Sequence, residues 1–83
     1  MQALTTDERF LLKIYQMASA LGDPHAPLDR YAVGRAIGHN DKGVNATVRW
    51  LAQANFIKHG DTNQIYLTDN GLSLSLQLLE QSS

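Results

Sequence analysis

The first apolar repeat has helical spacing and a polar residue at each end. Thr5 and Glu8 form the pattern of a capping box, in which each side chain bonds the backbone of the other residue. Gly22 and Pro24 are typical of a helix end. The pattern predicts a helix over residues 5–21. Its expected buried positions are Phe10, Leu11, Ile14, Met17, Ala18 and Leu21.

Two shorter elements are expected next. Leu28 is predicted to be a short extended residue, and Asp29 is a capping residue for a helix over residues 29–37. The expected buried positions of that helix are Tyr31, Val33 and Ile37. A tight turn at Gly38 then leads to Asn40 or Asp41 as the next cap.

Residues 41–54 are predicted to form an amphipathic helix with two distinct faces. At about 100° per residue, the apolar face holds Val44, Thr47, Val48 and Leu51. The opposite face holds two cations, two carboxamides and one small residue, which are Lys42, Arg49, Asn45, Gln53 and Ala46. Long donors and amides reach groove edges and phosphates of DNA, and alanine permits close approach of the backbone.

After Asn55 the pattern changes to a hairpin and a final helix. Two β-prone runs flank the turn-rich residues 60–63, which predicts a hairpin over residues 56–67. Residues 69–80 are predicted to be helical, with the core stripe at Leu72, Leu76 and Leu79 and with Leu74 and Leu78 nearly opposite. The expected fold is mainly α with a small β-hairpin (α+β), in the order α-(β)-α-α-β-β-α.

Composition limits the class of protein. A chain of 83 residues without cysteine is expected to form one domain around one modest core. We expect no signal peptide, because the first ten residues lack both a basic segment and a long apolar run. We expect no membrane partner, because no apolar run approaches the roughly 20 residues of a transmembrane helix. The expected location is the cytoplasm. The net charge of −1 disfavours a strong non-specific nucleic-acid binder, although five of seven cations lie between residues 30 and 58.

Catalytic and metal-binding patterns are not expected in this chain. His25, His39 and His59 lie in predicted loops or in the hairpin without ligand spacing, so we expect no metal site and no cofactor. His39 and His59 are instead expected near phosphates. No combination of nucleophile and base is visible, and we expect no enzyme activity.

Three stretches resemble the winged helix-turn-helix superfamily, most like small MarR-type regulators. Residues 28–38 (LDRYAVGRAIG) resemble the helix that leads into the turn. Residues 44–57, which end in Asn55-Phe56-Ile57, resemble the recognition helix. Residues 66–71 (YLTDNG) resemble the exit from the wing, which is the hairpin of these proteins. Asn55 replaces a usual glycine, Gly43 is unusual in the recognition helix, and Asp61 at the wing tip would repel phosphate.

The resemblance implies a sequence-specific binder of double-stranded DNA, a small transcriptional regulator. The helix over residues 41–54 would enter the major groove, and the wing over residues 56–67 would contact the DNA backbone. The expected DNA contacts are Lys42, Asn45, Ala46, Arg49, Gln53, Arg35, Lys58 and His59.

Two questions stay open from the sequence. The second leucine stripe predicts a homodimer through the terminal helices, using Leu74, Leu78, Leu11 and Tyr15, unless it packs within its own chain. A winged helix that binds a protein partner without DNA is the alternative function. Trp50 is expected to be a partly buried packing residue, with an interface anchor as its alternative.

Overall fold

The order of helices and strands is the one expected from the sequence. The computed structural model describes residues 4–82 and is mainly helical, with one three-stranded antiparallel sheet, an α+β arrangement. The elements are α1 (Thr6–Ala20), β1 (Leu28–Asp29), α2 (Arg30–Ala36), α3 (Asp41–Gln53), β2 (Ile57–His59), β3 (Gln64–Leu67) and α4 (Asp69–Ser82). Between residues 4 and 82, none of the helices has both the length and the apolar character needed to cross a membrane.

Polar side chains start the helices at the predicted positions. Thr5 and Glu8 form both bonds of the capping box, at 3.2 Å and 2.9 Å. The Asp29 carboxylate accepts from the Tyr31 N–H at the start of α2, and the Asn40 amide oxygen accepts from the Gly43 N–H at the start of α3. Each bond satisfies a backbone donor that the first helical turn leaves without a partner.

Three helices end in the same way. The residue after the C-cap has a positive φ in each case: 95° at Gly22, 73° at Gly38 and 65° at Asn55. At the end of α3, the Asn55 N–H donates to Ala52 O and the Phe56 N–H donates to Leu51 O, the two bonds of a Schellman motif. Asn55, which replaces a glycine in the winged-helix resemblance, thus takes the left-handed conformation that glycine favours.

The sheet has the order β1-β3-β2, with β3 in the centre. Leu28 pairs with Ile65 on one edge, and Ile57 pairs with Leu67 on the other. These four side chains are buried and join the sheet to the helices. We call the hairpin over residues 57–67 the wing.

The core lies between the helices and one face of the sheet. Of the positions predicted for α1, Phe10, Leu11, Ile14 and Ala18 are buried, and Met17 is partly buried. Leu21 is an exception, since it is 67% exposed. The helix has already ended there, and Leu21 is its C-cap residue.

The predicted orientation of α4 is wrong. Leu78 is only 2% exposed and Ser75 is fully buried, whereas Leu76 is 46% exposed. Gly71 is also buried, so the face that contacts the core holds small residues as well as leucines. The Ser75 hydroxyl donates to Gly71 O at 2.9 Å, which satisfies the hydroxyl within the helix.

This orientation corrects the expected dimer contacts. Leu11 and Leu78 belong to the core, and Leu74 and Tyr15 are partly buried and pack against it. Since α1 and α4 pack against each other within one chain, Leu11 and Leu78 have almost no surface to offer to a second copy. The packing alternative left open by the sequence is therefore observed for Leu11 and Leu78, and the homodimer through the terminal helices stays a prediction.

Candidate nucleic-acid interface

The two faces of α3 are divided as the periodicity predicts. Val44, Thr47, Val48 and Leu51 are buried, which fixes the rotation of the helix about its own axis. This rotation leaves the opposite face in solvent. The exposed members are Lys42, Asn45, Ala46, Arg49 and Gln53, as expected.

Trp50 does not pack into the protein as expected. Its side chain is 60% exposed. Trp50 is one turn after Ala46, and residues four apart lie on the same side of a helix. The exposed face of α3 is therefore wider than predicted and includes a large aromatic side chain.

Arg30 joins α2, α3 and the wing. Its Nε–H donates to Asn63 O at 3.2 Å, and its backbone N–H donates to the same oxygen at 3.1 Å. One terminal nitrogen donates to Asn45 Oδ1 at 3.5 Å, and the other donates to His59 Nδ1 at 3.2 Å. Sequence reasoning did not include Arg30 in the site, because its partners lie 15 to 33 positions further along the chain.

The contact with Arg30 determines the tautomer of His59. A guanidinium has only donors, so the Nδ1 atom of His59 must be the acceptor in this bond. The neutral ring then carries its proton on Nε2. His59 thus has its remaining polar atom available as a donor.

Arg30 and His59 close one end of an open concavity along α3. Its volume is about 550 Å³. The lining residues are Arg30, Asn45, Val48, Arg49, Ala52, Gln53 and His59. Four of the expected contacts, Asn45, Arg49, Gln53 and His59, therefore come together here beside the guanidinium of Arg30, and the lining includes no carboxylate.

Lys58 is not part of this group, although it was expected to act beside His59. It pairs with Tyr66 and lines a separate concavity with His25 and Asp69. Successive side chains of a strand point to opposite faces, so Lys58 and His59 cannot both face α3. Strand alternation in the sequence could have shown this.

Three other residues that were expected near DNA, Arg35, Lys42 and His39, do not line the concavity beside α3. Arg35 is exposed in the last turn of α2, and Lys42 is exposed in the first turn of α3, outside the concavity. The His39 ring packs over Gly43, and its Nε2 lies 3.3 Å from the Thr47 hydroxyl. A Cβ at Gly43 would overlap this ring, which explains a glycine inside the helix.

His25 has a structural position that the sequence did not indicate. Its Nδ1–H donates to Leu67 O at 2.8 Å, and its Nε2 lies 3.4 Å from an Asp69 carboxylate oxygen. The side chain thus connects the loop before β1 to the start of α4.

No protein-family model, curated protein or solved structure matches this chain. The function is therefore inferred from the surface formed by α3, Arg30 and the wing.

Proposed function

We propose that this chain is a winged-helix DNA-binding protein that acts as a small transcriptional regulator. In this proposal α3 enters the major groove and the wing contacts the flanking backbone. The observation that carries the proposal is the shared concavity of Asn45, Arg49, Gln53, His59 and Arg30. These side chains bring hydrogen-bond donors from α2, α3 and β2 to one side of the molecule.

The dimensions and chemistry of α3 support this role. A helix of 13 residues is about 20 Å long, and the major groove is wide enough to admit an α-helix. Arg49 can donate to a base edge or a phosphate, and Lys42 can neutralise a phosphate. Ala46 lies between them without a long side chain that would hold the backbone away from the groove.

The charge distribution predicts modest, salt-sensitive affinity. Arg30, Lys42 and Arg49 belong to the proposed surface, whereas the whole chain has a net charge of −1. Each phosphate that is neutralised adds about −0.9 to the slope of log affinity against log salt concentration. Three contacts therefore predict a slope of about −3 for one chain.

Fluorescence anisotropy of a labelled mixed-sequence duplex, titrated at two salt concentrations, tests the proposal. Lys42→Ala/Arg49→Ala should remove most of the binding and reduce the slope to about −1, because two of three counterion-releasing contacts are lost. Arg9→Ala/Lys13→Ala is the matched control. It removes the same charge from α1, where both residues line a different surface region.

Two outcomes would contradict the proposal. Equal losses in both double variants would mean that only net charge matters and that α3 has no special role. A folded parent protein that binds no duplex at low salt would exclude DNA as the partner.

A second candidate function is the docking of a protein partner on α3. The exposure of Trp50 favours it, since tryptophan is enriched among the residues that dominate protein interfaces. Asp61 in the wing turn also disfavours contact with phosphate. The absence of duplex binding in the titration above would support this second function.

A further inference from the structure

The amide of Asn45 is already partly used within the protein. Its Oδ1 accepts from the Tyr31 hydroxyl at 3.2 Å and from Arg30 at 3.5 Å. A carboxamide oxygen has two lone pairs, so these two donors satisfy it. The Nδ2 group, with its two N–H donors, is what Asn45 has left to offer to a ligand.

Both donors to Asn45 are themselves held in place. The Tyr31 ring is partly buried and packs against the core. Arg30 is bonded to Asn63 O and to His59. The Asn45 oxygen could become available only if a packed ring or a multiply bonded guanidinium moved.

This arrangement matters for the choice of base. Asparagine recognises adenine by accepting from N6 and donating to N7, which requires both ends of the amide. Guanine presents two acceptors, N7 and O6, at the same edge. A donor-only amide therefore matches guanine, and its N–H groups would oppose the N6 amino group of adenine.

We propose that Tyr31 and Arg30 restrict Asn45 to donating, so that the DNA site of α3 has guanine at the position facing Asn45. This inference rests on the proposed function and adds the base class to it. Arg49 lies one turn further along and has only donors, which predicts a second guanine nearby. Gln53 makes no side-chain hydrogen bond within residues 4–82, so its amide retains both a donor and an acceptor.

In vitro selection from randomised duplexes, followed by sequencing, tests the inference. The position facing Asn45 is identified as the one whose base preference disappears in Asn45→Ala. The parent protein should prefer guanine over adenine there by about 10-fold, the scale of one good base contact. In Tyr31→Phe, which keeps the packed ring and removes only the hydroxyl, the preference should fall to about 3-fold or less.

The outcomes separate this inference from the proposed function. Enrichment of adenine at that position by the parent protein, or an Asn45→Ala variant that loses its base preference at no position, would overturn the inference while DNA binding stands. An unchanged guanine preference in Tyr31→Phe would overturn the role of Tyr31. A folded parent that enriches no sequence and binds no duplex would overturn both.

Discussion

Gly34 lies where α2 packs against α3, and its missing side chain sets their separation. A Cβ at this position would overlap the Val44 Cγ2 atom and would lie 3.3 Å from His39 O. Val44 is fully buried and β-branched, so it has little freedom to turn away. Gly34 therefore allows α2 and α3 to pack closely.

Gly34→Ala should lower the free energy of unfolding by about 1–3 kcal/mol, the usual cost of overpacking a core. Val44→Ala removes the methyl group that the new Cβ would meet. The double variant should therefore lose less than the sum of the two single variants. Urea denaturation of all four proteins measures the coupling, and strictly additive losses would show that the overlap is relieved elsewhere.

At the scale of an element, the C-terminus of α3 depends on the conformation of one residue. Asn55 has a φ of 65°, whereas the preceding residue Ala54 has an ordinary right-handed conformation with a φ of −80°. Glycine reaches positive φ without the steric cost that other residues bear.

Asn55→Gly should raise the free energy of unfolding by about 0.5 kcal/mol, because it relieves the cost of the left-handed conformation. Ala54→Gly is the matched control one residue earlier. It should lower stability by about 0.5–1 kcal/mol, since it adds only freedom to the unfolded chain. Thermal denaturation by circular dichroism compares the two, and a loss in both variants would mean that the Asn55 side chain itself stabilises the turn.

The helix boundaries could be predicted because local residues determine them. Capping at Thr5, Asp29 and Asn40 and positive φ at Gly22 and Gly38 involve only neighbours in sequence. The orientation of α4 could not be predicted in this way. Its buried face includes Gly71 and Ser75, which a search for apolar residues does not count.

At the scale of the whole molecule, α4 packs against the core through the face that holds Leu78, and not through the face predicted from the leucine spacing. Leu78 is packed among residues from the other elements, whereas Leu76 faces solvent. A chain of 83 residues has a total stability of only about 4–12 kcal/mol, so one such contact is a large share.

Leu78→Ala should lower the free energy of unfolding by about 2–5 kcal/mol, as expected for a leucine removed from a core. Leu76→Ala, two residues earlier in the same helix, should change it by less than about 0.5 kcal/mol. Equilibrium denaturation of the two variants decides between the orientations. A larger loss for Leu76→Ala would restore the stripe predicted from the sequence.

The candidate site was predictable where it follows helical periodicity and, outside α3, at His59 of the hairpin. The exposed side chains of α3 follow from the burial of Val44, Val48 and Leu51 on its other side. The bond from Arg30 to Asn45 depends on how α2 packs against α3, and the bond to His59 depends on how the wing folds back on α2; no local spacing encodes either.

The attachment of the wing to Arg30 makes the length of its turn important beyond the turn itself. Asn63 O is held by both the backbone and the side chain of Arg30. An added residue in the turn would carry this oxygen away from Arg30 and loosen one of the two donors that hold the Asn45 oxygen, while the Tyr31 hydroxyl keeps its bond. The loop length of a hairpin thus influences the hydrogen bonding of a side chain on a different element, because Arg30 contacts both Asn63 and Asn45.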